Sequence, residues 1–257
     1  MKINYDRRYY TLGIITIAWG ISLVALFLGV LNVIAGENIP HLTFFIGDVQ
    51  TKTSGDNDWS AAELNEELNS KSQIKTADES RAEITLTDNT VIRVGEDSEY
   101  ELDSLLSGKD SFKSDSKLNR GRLWVNIRKL AGKNARFSAR TPTAVAAVRG
   151  TVFRMDVNDG DSTTALYVYR GIVEVGGPQW APDYGKMHKL KAPTQVKGPK
   201  EVSINEWTEI VRAQQKLLIG PKGVISKEQF DIQSDKKDDW VLFNIERDSL
   251  LSMNEKY

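Results

Sequence analysis

The sequence predicts an all-β domain, an antiparallel β-roll or sandwich of about ten short strands, preceded by one N-terminal transmembrane helix and followed by a short C-terminal helix. Three observations carry that expectation. Residues 12–36 hold no charge and are rich in Ile, Leu, Val and Ala. Between Ile74 and Val175, short runs of alternating apolar and polar residues recur, separated by turn formers. Within that region Arg120 to Arg128 alternates throughout. Leu123, Val125 and Ile127 fall on one face and Arg122, Trp124, Asn126 and Arg128 on the other, the period of two of a half-buried strand.

The apolar stretch from Leu12 to Gly36, at about 1.5 Å per residue, is long enough to cross a hydrocarbon core of about 30 Å with some tilt. Lys2, Arg7 and Arg8 precede it, Glu37 follows it, and the next basic residue is Lys52. The positive-inside rule therefore places residues 1–11 in the cytoplasm and the remainder outside. A cleaved signal peptide, cut after Val33-Ile-Ala35, is the competing reading. The run exceeds the usual signal core of about 7–15 residues, so an anchor fits better. Ala18, Ser22, Ala25 and Gly29, three or four apart, offer a face for helix-mediated self-association.

An extracytoplasmic β domain is expected over residues 41–220, with its core at 47–175. Leu42 to Val49 is a first apolar run; Thr53 to Lys71 is polar, either a short helix or an extended loop. Strands follow at Ala82–Leu86, Val91–Val94 and Ser98–Leu102, with turns at Asp88-Asn89 and Gly95-Glu-Asp97. Leu105 to Asp115, rich in Gly, Ser, Asp and Lys, reads as a loop. After Arg120–Arg128 come Phe137–Arg140 and then Thr151–Val157, which forms a hairpin with Thr163–Arg170 across Asn158-Asp-Gly-Asp161. Those aspartates do not meet the ligand and glycine spacing of a calcium loop, so they read as a plain turn. Gly171–Val175 is a further strand, and Trp180 to Gly198, with Pro182, Pro193 and the nearby Pro199, a surface excursion. Val202–Val211 and Lys216–Ile219 suit either helix or strand. Residues 221–257 form a tail, with Trp240, Phe243, Ile245 and Leu250 marking an amphipathic helix over Asp238–Leu251 that packs on the domain edge.

Composition removes several chemistries. With no cysteine there is no disulfide, thiol nucleophile or thiolate metal site. The two histidines, His41 and His188, are far apart, so no histidine cluster is available to a metal. No phosphate-loop, dinucleotide, nucleophile-elbow or zinc spacing occurs. A net charge of −1 gives no general pull toward nucleic acid. The expectation is a protein that is not an enzyme and takes no cofactor or metal.

The stretch RGRLWVNIRKL followed by FSARTPTAVAAVRGTVFRM resembles the FecR domain. The upstream SRAEITLTDNTVIRVGEDSEYEL and downstream TALYVYRGIVEV match the strands around that signature, and the resemblance spans roughly Gly47 to Val175. It implies the fold and the compartment: a single-pass protein of the bacterial inner membrane with its C-terminal domain extracytoplasmic. Members of the family regulate a sigma factor through a long cytoplasmic segment and sense an outer-membrane receptor outside. Residues 1–11 are too few for such a segment, so sigma-factor regulation by this chain alone is not expected.

The signature supplies a candidate corner, Thr141-Pro142-Thr143 with Val148-Arg149-Gly150-Thr151. Its structural reading is a backbone turn at Gly150 bonded by Thr151; its functional reading is a partner-binding corner. Charge supplies a second candidate. Asp48 to Asp103 contains fifteen acidic and five basic residues, whereas Ser116 to Met155 contains ten basic and no acidic residues. Either the outward faces of acidic and basic strands pair, Arg122, Arg128, Arg136 and Arg140 with Glu99, Glu101 and their neighbours, or the same four arginines form a face for an anionic envelope polymer or acidic partner. The function expected is a non-catalytic binding or scaffold module for an envelope protein or polymer; the alternative is a transmembrane signalling component acting through a separate cytoplasmic partner.

Overall fold

A computed structural model describes residues 39–108, 111–127, 135–182 and 207–254. The expected membrane helix over 12–36 and the expected cytoplasmic segment over 1–11 lie outside them. Among the described residues no helix is long and apolar enough to cross a membrane.

The chain from Ile39 onward is built from strands β1 (His41–Ile46), β2 (Val49–Lys52), β3 (Ser60–Ala61), β4 (Gln73–Thr76), β5 (Arg81–Thr85), β6 (Val91–Val94), β7 (Glu99–Gly108), β8 (Ser111–Asn126), β9 (Arg136–Arg140), β10 (Val145–Val148), β11 (Val152–Val157), β12 (Thr164–Arg170), β13 (Ile172–Gly176), β14 (Thr208–Arg212), β15 (Gln215–Gly220) and β16 (Gly223–Gln229). Two helices follow, α1 (Ile232–Asp235) and α2 (Asp239–Asn254). The first sheet runs β1-β5-β6-β8-β11-β12-β15-β16 and the second β3-β2-β4-β7-β8-β9-β10-β13-β14. Both sheets line one core, to which Leu42, Ile84, Ile92, Val125, Phe153 and Leu166 contribute from the first and Ile74, Tyr100, Leu118, Phe137, Val148 and Val173 from the second.

Strand β8 belongs to both sheets, and its sequence shows how. Up to Arg120 it pairs with β7 and β9; from Gly121 onward it pairs with β6 and β11. Phe112 and Leu118 face the core in the first half, Leu123 and Val125 in the second, so the inward parity switches from even to odd. Gly121 absorbs the switch at φ +89°, a conformation costly to any residue with a Cβ. A Cβ there would also lie 2.5 Å from the Ser98 Cα. Ser98 Oγ accepts the next backbone N–H, that of Arg122, at 2.9 Å.

The all-β class with a C-terminal helix holds, with three corrections. The strands are not all short: β7 and β8 have 10 and 16 residues, and the expected loop over 105–115 is their hairpin. The sheet is not wholly antiparallel, because β9 runs parallel to β8 from Lys113↔Arg136 to Lys117↔Arg140. Of the ambiguous segments, 202–206 lie outside the described residues, 208–211 of the first are in β14 and the second is in β15; the stretch assigned to the tail supplies β16, which pairs with β15 along its length. Asp88-Asn89 and Gly95-Glu-Asp97 do turn the chain, with Asn89 and Asp97 at positive φ.

Candidate functional site

The signature residues build two adjoining turns. Between β9 and β10, the Thr141 N–H donates to the Ala144 carbonyl at 2.9 Å and Thr141 Oγ1 accepts the Ala144 N–H at 3.0 Å. The hydroxyls of Thr141 and Thr143 both meet Thr164 Oγ1, at 2.8 and 2.7 Å. All three threonines are buried and only Pro142 is exposed. Between β10 and β11 the chain crosses from the second sheet to the first through Arg149-Gly150, with Gly150 at φ +69°. The Thr151 carbonyl accepts the Ile127 N–H at 2.8 Å, which ties the crossing to the end of β8. Val148 and Thr151 are fully buried and Arg149 is half-buried. The hydroxyls of Thr141 and Thr143 are thus spent inside the fold, leaving little for a ligand.

The outer face of the first sheet carries a different arrangement. Cross-strand register places Phe44, Glu83, Arg93, Trp124, Arg154, Tyr167, Lys216 and Glu228 in one row across β1, β5, β6, β8, β11, β12, β15 and β16. These residues point away from the core, yet Arg93 and Trp124 are 0% and 1% exposed. Helices α1 and α2 account for that burial. Trp240 and Val241 of α2 pack with Trp124 and Val152 in a cluster separate from the main core. Arg154 lies 3.8 Å over the Tyr167 ring, and Arg247 4.4 Å over Phe44.

A large charge on a covered sheet face needs a partner, and every arginine here has one. Arg93 Nε donates to Glu83 Oε2 at 2.6 Å and Arg93 Nη1 to Asp248 Oδ1 at 2.7 Å. The second Asp248 oxygen accepts the Trp124 indole N–H at 3.0 Å. Arg247 grips Glu83 with two hydrogen bonds, at 2.9 and 2.8 Å. Arg122 holds Asp238 at 2.5 and 3.3 Å, and Asp238 also accepts the Trp240 N–H at 2.9 Å, so one carboxylate caps α2 and pairs with the sheet. Arg154 reaches Asp235 at 3.2 Å, and Tyr169 donates to the same carboxylate at 2.5 Å. Asp156 sits between Arg154 and Arg122, at 3.1 and 3.5 Å.

These contacts set the ionisation of the group. Burial opposes a charge on Glu83, but hydrogen bonds and attraction from Arg247 and Arg93 outweigh it and hold its carboxyl below the ordinary value. Asp238 is lowered in the same way, burial opposing and Arg122 prevailing. Asp156 goes the other way: burial raises it despite Arg154 and Arg122. Burial likewise pushes Tyr169 well above its ordinary range.

The four arginines proposed as one anionic-partner face do not share one. Arg122 lies on the first sheet under the helices, bound to Asp238 and Asp156 rather than to Glu99 or Glu101. Arg136 and Arg140 lie on β9 of the second sheet, beside Lys113 and Lys117 of β8. Arg128 is outside the described residues. Outward pairing of acidic and basic strands does occur on the second sheet, where Glu99 meets Arg120 at 3.5 Å and Lys75 at 3.4 Å. Sequence reasoning missed Glu83, Arg93 and Arg154. Their signal was a bulky charge on the outward positions of three strands that also carry core residues, together with an acidic helix near the C-terminus.

A cleft of about 570 Å³ opens where α1 meets α2, walled by Glu79, Arg81, Glu96, Arg122, Lys237 and Trp240 among others. Among the described residues no group of three or more His, Asp or Glu is placed to hold a metal.

The family model described as FecR protein matches residues 72–174, from just before β4 into β13. Two crystal structures of a candidate anti-sigma factor from Parabacteroides distasonis resemble the chain at 18% identity with a TM-score of 0.44. The match covers 62% of this chain and 60% of that one. No curated protein matched the sequence.

Proposed function

We propose, for a chain that carries a FecR domain over residues 72–174, that it is a non-catalytic binding module of the bacterial cell envelope. In this reading residues 12–36 anchor it in the inner membrane and the β domain lies outside the cytoplasm. The observation that supports binding over chemistry is the use made of the buried charges on the first sheet. Glu83, Arg93, Arg122 and Arg154 are each engaged by a residue of the helical segment or of a neighbouring strand, in geometry that holds two surfaces together. A reaction centre needs a group with a free proton or lone pair beside a substrate cavity. The FecR match also favours a second reading, in which the domain reports an envelope state through the anchor to a cytoplasmic partner.

Two experiments test this proposal. Crosslinking in native membranes followed by mass spectrometry should recover an envelope partner bound to the β domain. Recovery of cytoplasmic proteins alone would overturn the reading. A reporter active only in the cytoplasm, fused after Tyr257, should stay silent; activity would reverse the orientation.

A further inference from the structure

The helical segment 231–254 touches the first sheet as a ligand touches a receptor. Its aspartates meet the sheet's arginines one for one: Asp248 with Arg93, Asp238 with Arg122 and Asp235 with Arg154. Its apolar contribution is small. No residue of α1 is buried, and α2 adds buried Trp240 and Val241 and part-buried Phe243 and Ile245 to a cluster outside the main core. The fit is also incomplete. Among the described residues, Arg93 Nη2 on the sheet and Trp240 Nε1 on the helix are buried donors with no protein acceptor in hydrogen-bond geometry. A buried donor left unpaired weakens the complex that holds it, so a better-placed carboxylate or amide would bind more tightly.

We propose that this face of the first sheet is a docking surface for an acidic amphipathic helix of a partner protein, and that residues 231–254 occupy it as a displaceable self-ligand. The proposal rests on the reading of the chain as a binding module and names the chemistry of what it binds. Without the segment, Arg93, Arg122 and Arg154 would keep Glu83 and Asp156 as their ion-pair partners, Arg81 would lose the Trp240 and Phe243 rings, and Trp124 would be uncovered while Tyr169 stayed against Phe230. A cationic, aromatic surface of that kind favours a helix carrying spaced carboxylates and one aromatic anchor. It disfavours a basic or purely apolar one. Exchange of carboxylate for carboxylate keeps each guanidinium paired, so a partner helix can take the site without exposing an unmatched charge.

The test uses the purified full chain in detergent and a fluorescent peptide with the sequence of residues 231–254. In one protein variant Asp235→Asn, Asp238→Asn and Asp248→Asn together weaken the internal segment. The labelled peptide should bind this variant at least about tenfold more tightly than the wild type, and less tightly as salt is raised. A peptide carrying the same three changes should fail to bind. Absence of binding by a folded variant would overturn the proposal, as would equal binding of the altered peptide. So would dimerisation of the variant in place of peptide binding, which would assign the surface to a second copy. If the variant does not fold, hydrogen exchange on the wild type decides. Excess unlabelled peptide should speed exchange of the α2 amides and leave the strands unchanged, and no acceleration would sink the idea. Because only this chain and a peptide are used, the result is independent of whether an envelope partner is ever captured.

Discussion

Arg93 is wholly buried on an outward strand position, and its three partners come from two elements: Glu83 on β5 and Asn244 and Asp248 on α2. Replacing it with Ala should cost about 3–5 kcal/mol, because Asp248 would lose its guanidinium and Glu83 one of two. Urea unfolding measures this; a loss under about 1 kcal/mol would mean that water replaces the arginine freely. Gly150→Ala meets the left-handed penalty, about 1–2 kcal/mol. Gly121→Ala meets the same penalty and the Ser98 backbone as well, and should cost more than that penalty alone in the same assay. At this scale the sequence was readable wherever alternation decided the outcome. Leu123, Val125 and Ile127 are buried as their period requires, and Gly150 takes the positive φ that its place between strands suggested. The partners of Arg122 were not readable, because Asp238 follows more than a hundred residues later and nothing local points to it.

Helix α2 shows how an element can be recognised while its role is missed. Its apolar spacing was visible, and packing at the domain edge was the natural expectation. It lies instead on the face of the first sheet, since Asp238, Arg247 and Asp248 find Arg122, Glu83 and Arg93 there. The β7–β8 hairpin was misread for the opposite reason. Its Ser, Lys, Asp and Gly composition resembles a loop, but pairing with β7 on one side and β9 on the other satisfies its backbone. The docking of α2 should depend on pH. Glu83 and Asp238 have folded values depressed below their ordinary 4.5 and 3.8, so each contributes stability above those values and loses it as the pH falls through its depressed folded value. Asp156, raised, runs the other way: its ionised form weakens the fold at neutral pH, and that cost is relieved as protonation proceeds. With Glu83, Asp161 and Asp238 lowered against Asp88 and Asp156 raised, melting temperature should fall with acidification below pH 4.5. Glu83→Gln should be less stable at neutral pH and should flatten that acid limb. Parallel curves for the two proteins would remove Glu83 as the cause. Arg122→Gln should cost only about 1 kcal/mol, since its pair with Asp238 is partly exposed.

Across the whole domain, two kinds of contact divide the work. The two sheets share β8 and one apolar core, so neither can separate without exposing Leu118, Leu123, Val125 and Phe153 together. That coupling predicts a single cooperative unfolding transition for the strands. The segment from Asp231 onward is joined to the first sheet by ion pairs and by a cluster of Trp124, Trp240, Val241, Phe243 and Ile245 apart from the main core. It should open at lower free energy than the strands, as a separate unit. Native-state hydrogen exchange can resolve the two tiers. The amides of Val241 to Asp248 should exchange through an opening that becomes more frequent as salt is raised, since partly exposed pairs such as Arg122–Asp238 are screened. The amides of β8 and β11, which lie between paired strands, should exchange only with global unfolding, whose free energy changes far less with salt because the core is apolar. If helix and strand amides exchanged with one free energy at every salt concentration, the C-terminal segment would be an integral part of the core. The charge pairing on the first sheet would then be a fixed weld rather than a separable contact.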